Sequence, residues 1–308
     1  MNGSSNIGLS IALNVMGRVE LAEYGFRSWM LQDAREPYEV VLNLFNEDLP
    51  KFQKLSEGRN PNCKLVIKTY PKPEYFNISA ANNLGIYHST GRHVLFANSD
   101  VIYPSRIARL LVEDLQRHDI AYFILTRANL TEEQSQALKA PNNYRRAGDF
   151  DSLDELAIAS IWRADNGWVV RRDVAIAIGG FDPKILVMED VDITDRLGHY
   201  LARKNIQHGI LGSVDLRGYH LYHPTSELFD TNHEARQILT ARRARLLKDP
   251  NSTEDVMPTD FSSHEVLAEE IRKTVRPAKL NRYRQDTGKK VVKRVKRAFD
   301  VLRGKRLE

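Results

Sequence analysis

The sequence has little cysteine: one residue, Cys63, in a chain of 308. A single thiol excludes an intrachain disulfide and a cysteine-rich zinc site, and it fits a reducing compartment. Long apolar runs are lacking too. No stretch approaches the roughly 20 apolar residues that cross a bilayer as a helix. The opening MNGSSNIGLSIALNVMGRVE has no basic start and only a short apolar run before Arg18, so it reads as neither a secretory signal nor a membrane span. A GxGxR loop is missing after the first predicted strand, which argues against a sugar-1-phosphate nucleotidyltransferase.

What is present is 42% hydrophobic and 28% charged, the balance of a globular chain that buries a sizeable core. The net charge of +5 conceals an asymmetry. Residues 272–308 hold 15 Lys and Arg against 3 acids, which leaves 30 basic and 37 acidic residues in 1–271. A nucleic-acid protein carries its positive charge on the folded binding face. Here it lies in the tail, and no nucleic-acid partner is expected. The division predicts a domain over 1–271 and a basic appendage over 272–308.

Along the chain, 8–15, 38–45, 63–70 and HVLFA (93–97) read as short apolar strands, alternating with helical patterns at 19–33, 79–89 and 105–116. A further strand is predicted over 120–127. Such alternation predicts an α/β fold with a mainly parallel sheet flanked by helices. Ligands of such sheets sit at the carboxyl ends of the strands, which places 14–18 and 46–48 on one rim. The polar stretch 129–155 reads as a mobile loop over that rim.

Two acidic motifs stand out. Asn98-Ser99-Asp100 ends the strand HVLFA, where a charge is costly unless paired or bound to a metal or phosphate. The segment GGFDPKILVMEDVDITDR (179–196) gathers Asp182, Glu189, Asp190, Asp192 and Asp195 at the start of a predicted helix. A helix dipole favours one or two acids there. Glu189, Asp190 and Asp192 together exceed what capping needs, so part of the cluster reads as functional, with Asp192 and Asp195 assigned to capping and the helix surface.

The order EVVLNLFNED, SAANNLGIYHSTGRHVLFANSD, GWVVRRDVAIAIGGFD, EDVD and a late HLYHP resembles a family 2-like glycosyltransferase of the GT-A fold, including the galactosyltransferase C-terminal type, over residues 8–225. The resemblance implies a nucleotide-sugar donor, with UDP the expected nucleotide, and a Mn²⁺ or Mg²⁺ cofactor. Asp100 matches the second acid of the family's metal- and pyrophosphate-binding triplet, and Asn98 stands where the first acid would be. Asn keeps a carbonyl oxygen but brings no charge. His223, with His220 second, matches the late histidine ligand. Asp190 matches the general base that takes the acceptor hydroxyl's proton, and Glu189 its partner. Asn46 and Asp48 match positions near the base and ribose, Asn83 an asparagine of the helix before the triplet, and Arg18 the nucleotide end. Trp162 and Trp168 are sugar-stacking walls or core residues. The implied reaction is inverting. A retaining transferase on the same fold and a non-catalytic sugar-binding protein, given Asn98, are the alternatives.

In the tail, 288–304 (GKKVVKRVKRAFDVLRG) puts Val291, Val292, Val295, Ala298, Phe299 and Leu302 on one helical stripe with Lys and Arg around it. A basic amphipathic helix of this kind lies on an anionic membrane surface. The expectation is a cytoplasmic enzyme on the inner face of the membrane, whose acceptor is a glycan or lipid-linked glycan of a surface polysaccharide.

Overall fold

A computed structural model describes residues 7–15, 17–117, 122–139, 147–156, 160–162, 167–186, 188–206, 216–224, 233–249, 251–253 and 255–273. The strands are β1 (Leu9–Asn14), β2 (Tyr38–Phe45), β3 (Cys63–Tyr70), β4 (His93–Asn98), β5 (Val101–Ile102), β6 (Tyr122–Ile124), β7 (Thr126–Asn129), β8 (Ser160–Trp162), β9 (Trp168–Arg171) and β10 (Arg217–His220). The α-helices are α1 (Val19–Met30), α2 (Leu49–Leu55), α3 (Ile78–His88), α4 (Ile107–Arg117), α5 (Glu132–Leu138), α6 (Arg172–Ala177), α7 (Glu189–Arg203), α8 (His233–Lys248) and α9 (His264–Lys273).

The main sheet runs β3-β2-β1-β4-β9-β6, with β1 to β4 parallel and β9 antiparallel to both β4 and β6. Every residue of β1 and β2 is buried, which is why these strands read as continuous apolar runs rather than alternating ones. On one face lie α1 and α4, whose Phe26, Trp29, Leu111 and Val112 pack with Ile11 and Val40. The opposite face carries α3, with Gly85 against Ala12.

A second, smaller sheet has the order β5-β10-β7-β8. It begins two residues after β4 ends, and β10 pairs antiparallel with β5 so that His220 lies opposite Val101. The backbone N–H of Leu221 donates to the carbonyl of Asp100 at 2.9 Å. The late HLYHP segment is thereby tied to the end of β4.

Two expectations are corrected. The strand predicted over 120–127 is two strands, β6 and β7, which part at Leu125 and join different sheets. The expected mobile loop over 129–155 is largely folded where described. Thr131 and Gln134 form a capping box for α5, 3₁₀ turns span Ala147–Glu155, and Phe150 and Leu153 are fully buried. Helix α9 was not announced by sequence periodicity. Ser263 Oγ accepts from the Val266 N–H at its start, and Leu267 and Ile271 bury against Phe45, Tyr70 and Leu84. The boundary drawn at 271/272 thus falls in the last turn of α9. The amphipathic stretch 288–304 lies outside the described residues, and no helix among the described residues is long and apolar enough to cross a membrane.

The α3–α9 contact includes a histidine pair, His88 Nε2 to His264 Nδ1 at 2.9 Å. Burial, with Lys68 and His264 nearby, pushes His88 down to about 4, from an ordinary value near 6.5. Between those two values the unfolded chain binds more protons than the folded one, so this contribution is complete above about pH 6.5 and lost as pH falls toward 4. The melting temperature should drop across that window, and His88→Gln should flatten the drop when melting is followed by circular dichroism.

Candidate active site

The site is built on the carboxyl ends of β1, β2 and β4. Strand register sets Asn14 beside Asn43 on one side and Asn98 on the other. Asn43 Nδ2 donates to Asn14 Oδ1 at 2.9 Å, and Asn14 Nδ2 donates to Asn82 Oδ1 at 2.7 Å. This buried amide chain pins the first turns of α3 to the strand tips. Asn98 is exposed at the end of β4.

Beside it, Asp100 faces three side chains from distant parts of the sequence. Its Oδ2 lies 3.1 Å from His223 Nε2, 3.7 Å from His220 Nε2 and 3.4 Å from Arg18 Nη1. Arg18 Nη1 is also 2.8 Å from His223 Nε2. Arg18 sits here because Gly17, at φ 82°, turns the chain sharply between β1 and α1, a conformation that costs glycine little. The next turn of α1 presses on the Asp100 turn itself: a Cβ at Gly25 would stand 2.3 Å from the Ser99 carbonyl oxygen.

Electrostatics follow from this geometry. Burial pushes the Asp100 carboxyl up, but the neighbouring His220 and His223 outweigh it and hold the group far below the ordinary carboxylate range. The hydrogen bond to Asp100 draws His223 upward, whereas Arg18 can only donate and so favours a neutral ring. The Arg18 contact is the shorter, and Nδ1 of His223 faces the Pro224 carbonyl at 2.9 Å. A carbonyl only accepts, so Nδ1 carries a proton in either state: the charged ring gives Nε2–H to Asp100, and the neutral ring presents its Nε2 lone pair to Arg18.

These donors fit a divalent cation. The ligand atoms of Asp100, His220 and His223 all lie within 4.8 Å of one another. One carboxylate oxygen and two imidazole nitrogens suit Mn²⁺-like ions. A ligating histidine characteristically gives its other N–H to a backbone carbonyl, as His223 does to Pro224.

The remaining predicted residues divide. Asn83 is 1% exposed and clamps Phe181, giving Nδ2–H to its carbonyl at 3.0 Å and accepting its N–H at 2.8 Å. Its amide is thus engaged with backbone, and Asn82 is the α3 asparagine that meets the strand tips. Asn46 and Asp48 form a 3₁₀ turn directly after β2, with Asn46 exposed and Asp48 half-buried. Burial and Glu47 push the Asp48 carboxyl up. Glu189 and Asp190 open α7, half-buried, after Met188 in a left-handed turn at φ 68°. Their segment is strapped to the rim end of α3: Ser79 Oγ donates to the Ile185 carbonyl at 2.6 Å, and Asn77 Nδ2 to that of Pro183 at 2.9 Å. Asp190 starts no more than about 18 Å of extended chain beyond Ile185. Trp168 stacks on Phe181 at 5.7 Å and is core. The Trp162 side chain lies outside the described residues.

The expected role of Asp192 as a cap is corrected. It is 1% exposed and paired with Arg196 at 2.8 Å and with Arg242, which also holds Asp182 at 2.6 Å. Arg196 in turn donates to the carbonyls of Gly180 and Ile178 at 2.6 and 3.1 Å. Two arginines and two aspartates thus balance within the core and fix the GGFD turn. Asp195 bonds Arg243 on the surface, as expected.

A mainly parallel sheet flanked by helices, an acidic turn ending its central strand, and a small second sheet bringing a late histidine to that turn make up a GT-A-like fold. No protein-family profile and no curated protein matches the chain. Solved structures do. Residues 1–349 of S. aureus TarS in complex with UDP-GlcNAc superpose with a TM-score of 0.57 at 11% identity, covering 80% of this chain and 68% of that one. The UDP complex of the same protein gives 0.52 at 13%, covering 80% and 68%. These likenesses establish the shared fold.

Removing one member of a buried ion network strands its partners at a cost of about 3–5 kcal/mol, whereas an exposed pair contributes at most about 1 kcal/mol. Arg242→Met should therefore lower stability severely in urea denaturation, and Asp195→Ala barely.

Proposed function

We propose that the protein is a metal-dependent, inverting glycosyltransferase that moves a sugar from a UDP-sugar to a glycan or lipid-linked glycan acceptor. The observation that carries this is the meeting of Asp100, His220 and His223 at the carboxyl rim of a GT-A-like sheet. The UDP and UDP-GlcNAc held by the TarS structures of like fold support a UDP-sugar donor. The galactosyltransferase C-terminal type remains a sequence resemblance within that reading.

In the proposed reaction Asp100, His223 and His220 hold the divalent cation, and Asn98 offers a neutral oxygen beside them. Bound there, Mn²⁺ or Mg²⁺ neutralises the leaving diphosphate as a Lewis acid. Arg18 pairs with the same diphosphate, while Asn46 and Asp48, one strand over, receive the nucleoside. Asp190 accepts the proton of the acceptor hydroxyl as its oxygen attacks the anomeric carbon from the face opposite the diphosphate. The C–O bond to the acceptor forms as the C–O bond to UDP breaks, so the configuration inverts. Glu189 orients the acceptor hydroxyls.

Transfer is read as UDP release from a UDP-sugar with acceptor and Mn²⁺ present. Asp190→Asn should lower turnover at least a hundredfold, the scale of general-base catalysis, with UDP affinity by calorimetry nearly unchanged. Asp100→Ala should weaken Mn²⁺ and UDP binding together. Full turnover in Asp190→Asn would refute the base assignment.

Membrane association through the tail completes the proposal, placing the enzyme on the cytoplasmic face of the membrane beside a lipid-linked acceptor. Each basic residue near an anionic surface contributes about 1 kcal/mol. Ending the chain after Lys273, which keeps α9 whole, should abolish sedimentation with phosphatidylserine-containing vesicles at low salt. Undiminished sedimentation would reject the membrane role.

A further inference from the structure

The side chain that meets the metal ligands most closely is itself a cation. Arg18 Nη1 lies 2.8 Å from His223 Nε2 and 3.4 Å from Asp100 Oδ2. These two atoms are 3.1 Å apart, close to the spacing of two ligands at right angles, each about 2.1 Å from a small divalent ion. We propose that Arg18 is an internal counter-ion which occupies this ligand pair in the nucleotide-free protein and exchanges it for the donor's diphosphate when a divalent cation binds. The proposal rests on the metal and donor site described above, and goes beyond it in assigning Arg18 two alternative partners.

The argument is one of lone pairs and charge. With its Nδ1 proton given to the Pro224 carbonyl, the neutral His223 ring has a single in-plane lone pair, at Nε2. That pair is given to a guanidinium N–H or to a metal ion, never both. The charge balance points the same way. Asp100 is the one acid of the ligand set, because Asn98 supplies none, so a divalent cation already leaves the site positive. Arg18 kept in place beside it would add repulsion between like charges in a half-buried pocket. The guanidinium side chain is 40% exposed on a long stem and free to turn outward. A diphosphate offers it bidentate, charge-assisted hydrogen bonds in exchange.

Two consequences distinguish this role from that of a simple phosphate-binding arginine. Without nucleotide, Arg18 competes with the metal. With nucleotide, metal and diphosphate each strengthen the other's binding, and the coupling is reciprocal.

The test titrates Mn²⁺ into the full chain and follows free Mn²⁺ by electron paramagnetic resonance, with and without UDP. Arg18→Met keeps the apolar stem and removes the charge. Without UDP it should bind Mn²⁺ roughly tenfold more tightly than the unaltered chain, the scale of one charge-assisted hydrogen bond. With UDP, the tightening of Mn²⁺ binding seen in the unaltered chain should shrink several-fold in Arg18→Met. Arg18→Lys, a cation without the planar fork, should fall between the two and controls for folding. If the unaltered chain binds Mn²⁺ and Arg18→Met binds it equally or more weakly without UDP, the counter-ion role is overturned while the metal site stands. If none of the three chains binds Mn²⁺ but UDP still binds, the metal site itself is refuted and the inference falls with it.

Discussion

A carboxylate at the tip of a central buried strand has to be answered by hydrogen-bond donors or cations, because desolvation would otherwise hold it neutral. Much of the rim is arranged around answering Asp100. The second sheet begins right after it and returns with β10 alongside, so that the backbone of Leu221 and the rings of His220 and His223 come to the same turn. The N-terminus of α1 supplies Arg18 from the other side. Three side chains from two segments up to 205 residues apart meet around one oxygen atom of Asp100. The same charge that makes the folded site expensive makes it able to hold a cation.

The second acidic motif solves a different problem. Asp182 and Asp192 are balanced by Arg196 and Arg242 inside the core, and this network carries the turn through Gly179. Gly179, at φ 71°, passes so close to Met257 that a Cβ would stand 1.9 Å from its carbonyl oxygen. Helix α6 before the turn and α7 after it are thereby fixed relative to each other, with Glu189 and Asp190 left at the helix start. Of five acids in 179–196, two are internal ballast, one lies on the surface and two open α7.

The parallel strands were legible because burial on both faces leaves an uninterrupted apolar run, and Asp100 was legible because a charge ending such a run is anomalous. His220 and His223 needed the resemblance, since no local pattern says that β10 folds back on β5. Asn83 was singled out over Asn82 because sequence order does not say which neighbour on a fully buried helix turns to the strand tips. Asp192 looked like a cap because Arg242, fifty residues on, is invisible to any local reading. The fold of 129–155 was readable in Thr131 and Gln134, a capping box three residues apart, but the polar composition around them masked it. Helix α9 escaped because Leu267 and Ile271 are only two apolar positions, meaningful once α3 is there to receive them.

The contact at Gly25 also bears on speed. The α1 backbone lies directly against the carbonyls of Ser99 and Val101, so the helix that follows Arg18 and the turn that carries Asp100 are packed in direct contact. Arg18 therefore leaves Asp100 by rotation about its own side-chain bonds, a picosecond-to-nanosecond event for an exposed residue. The arrival of a cation at this rim would then be paced by diffusion and ion dehydration rather than by the protein.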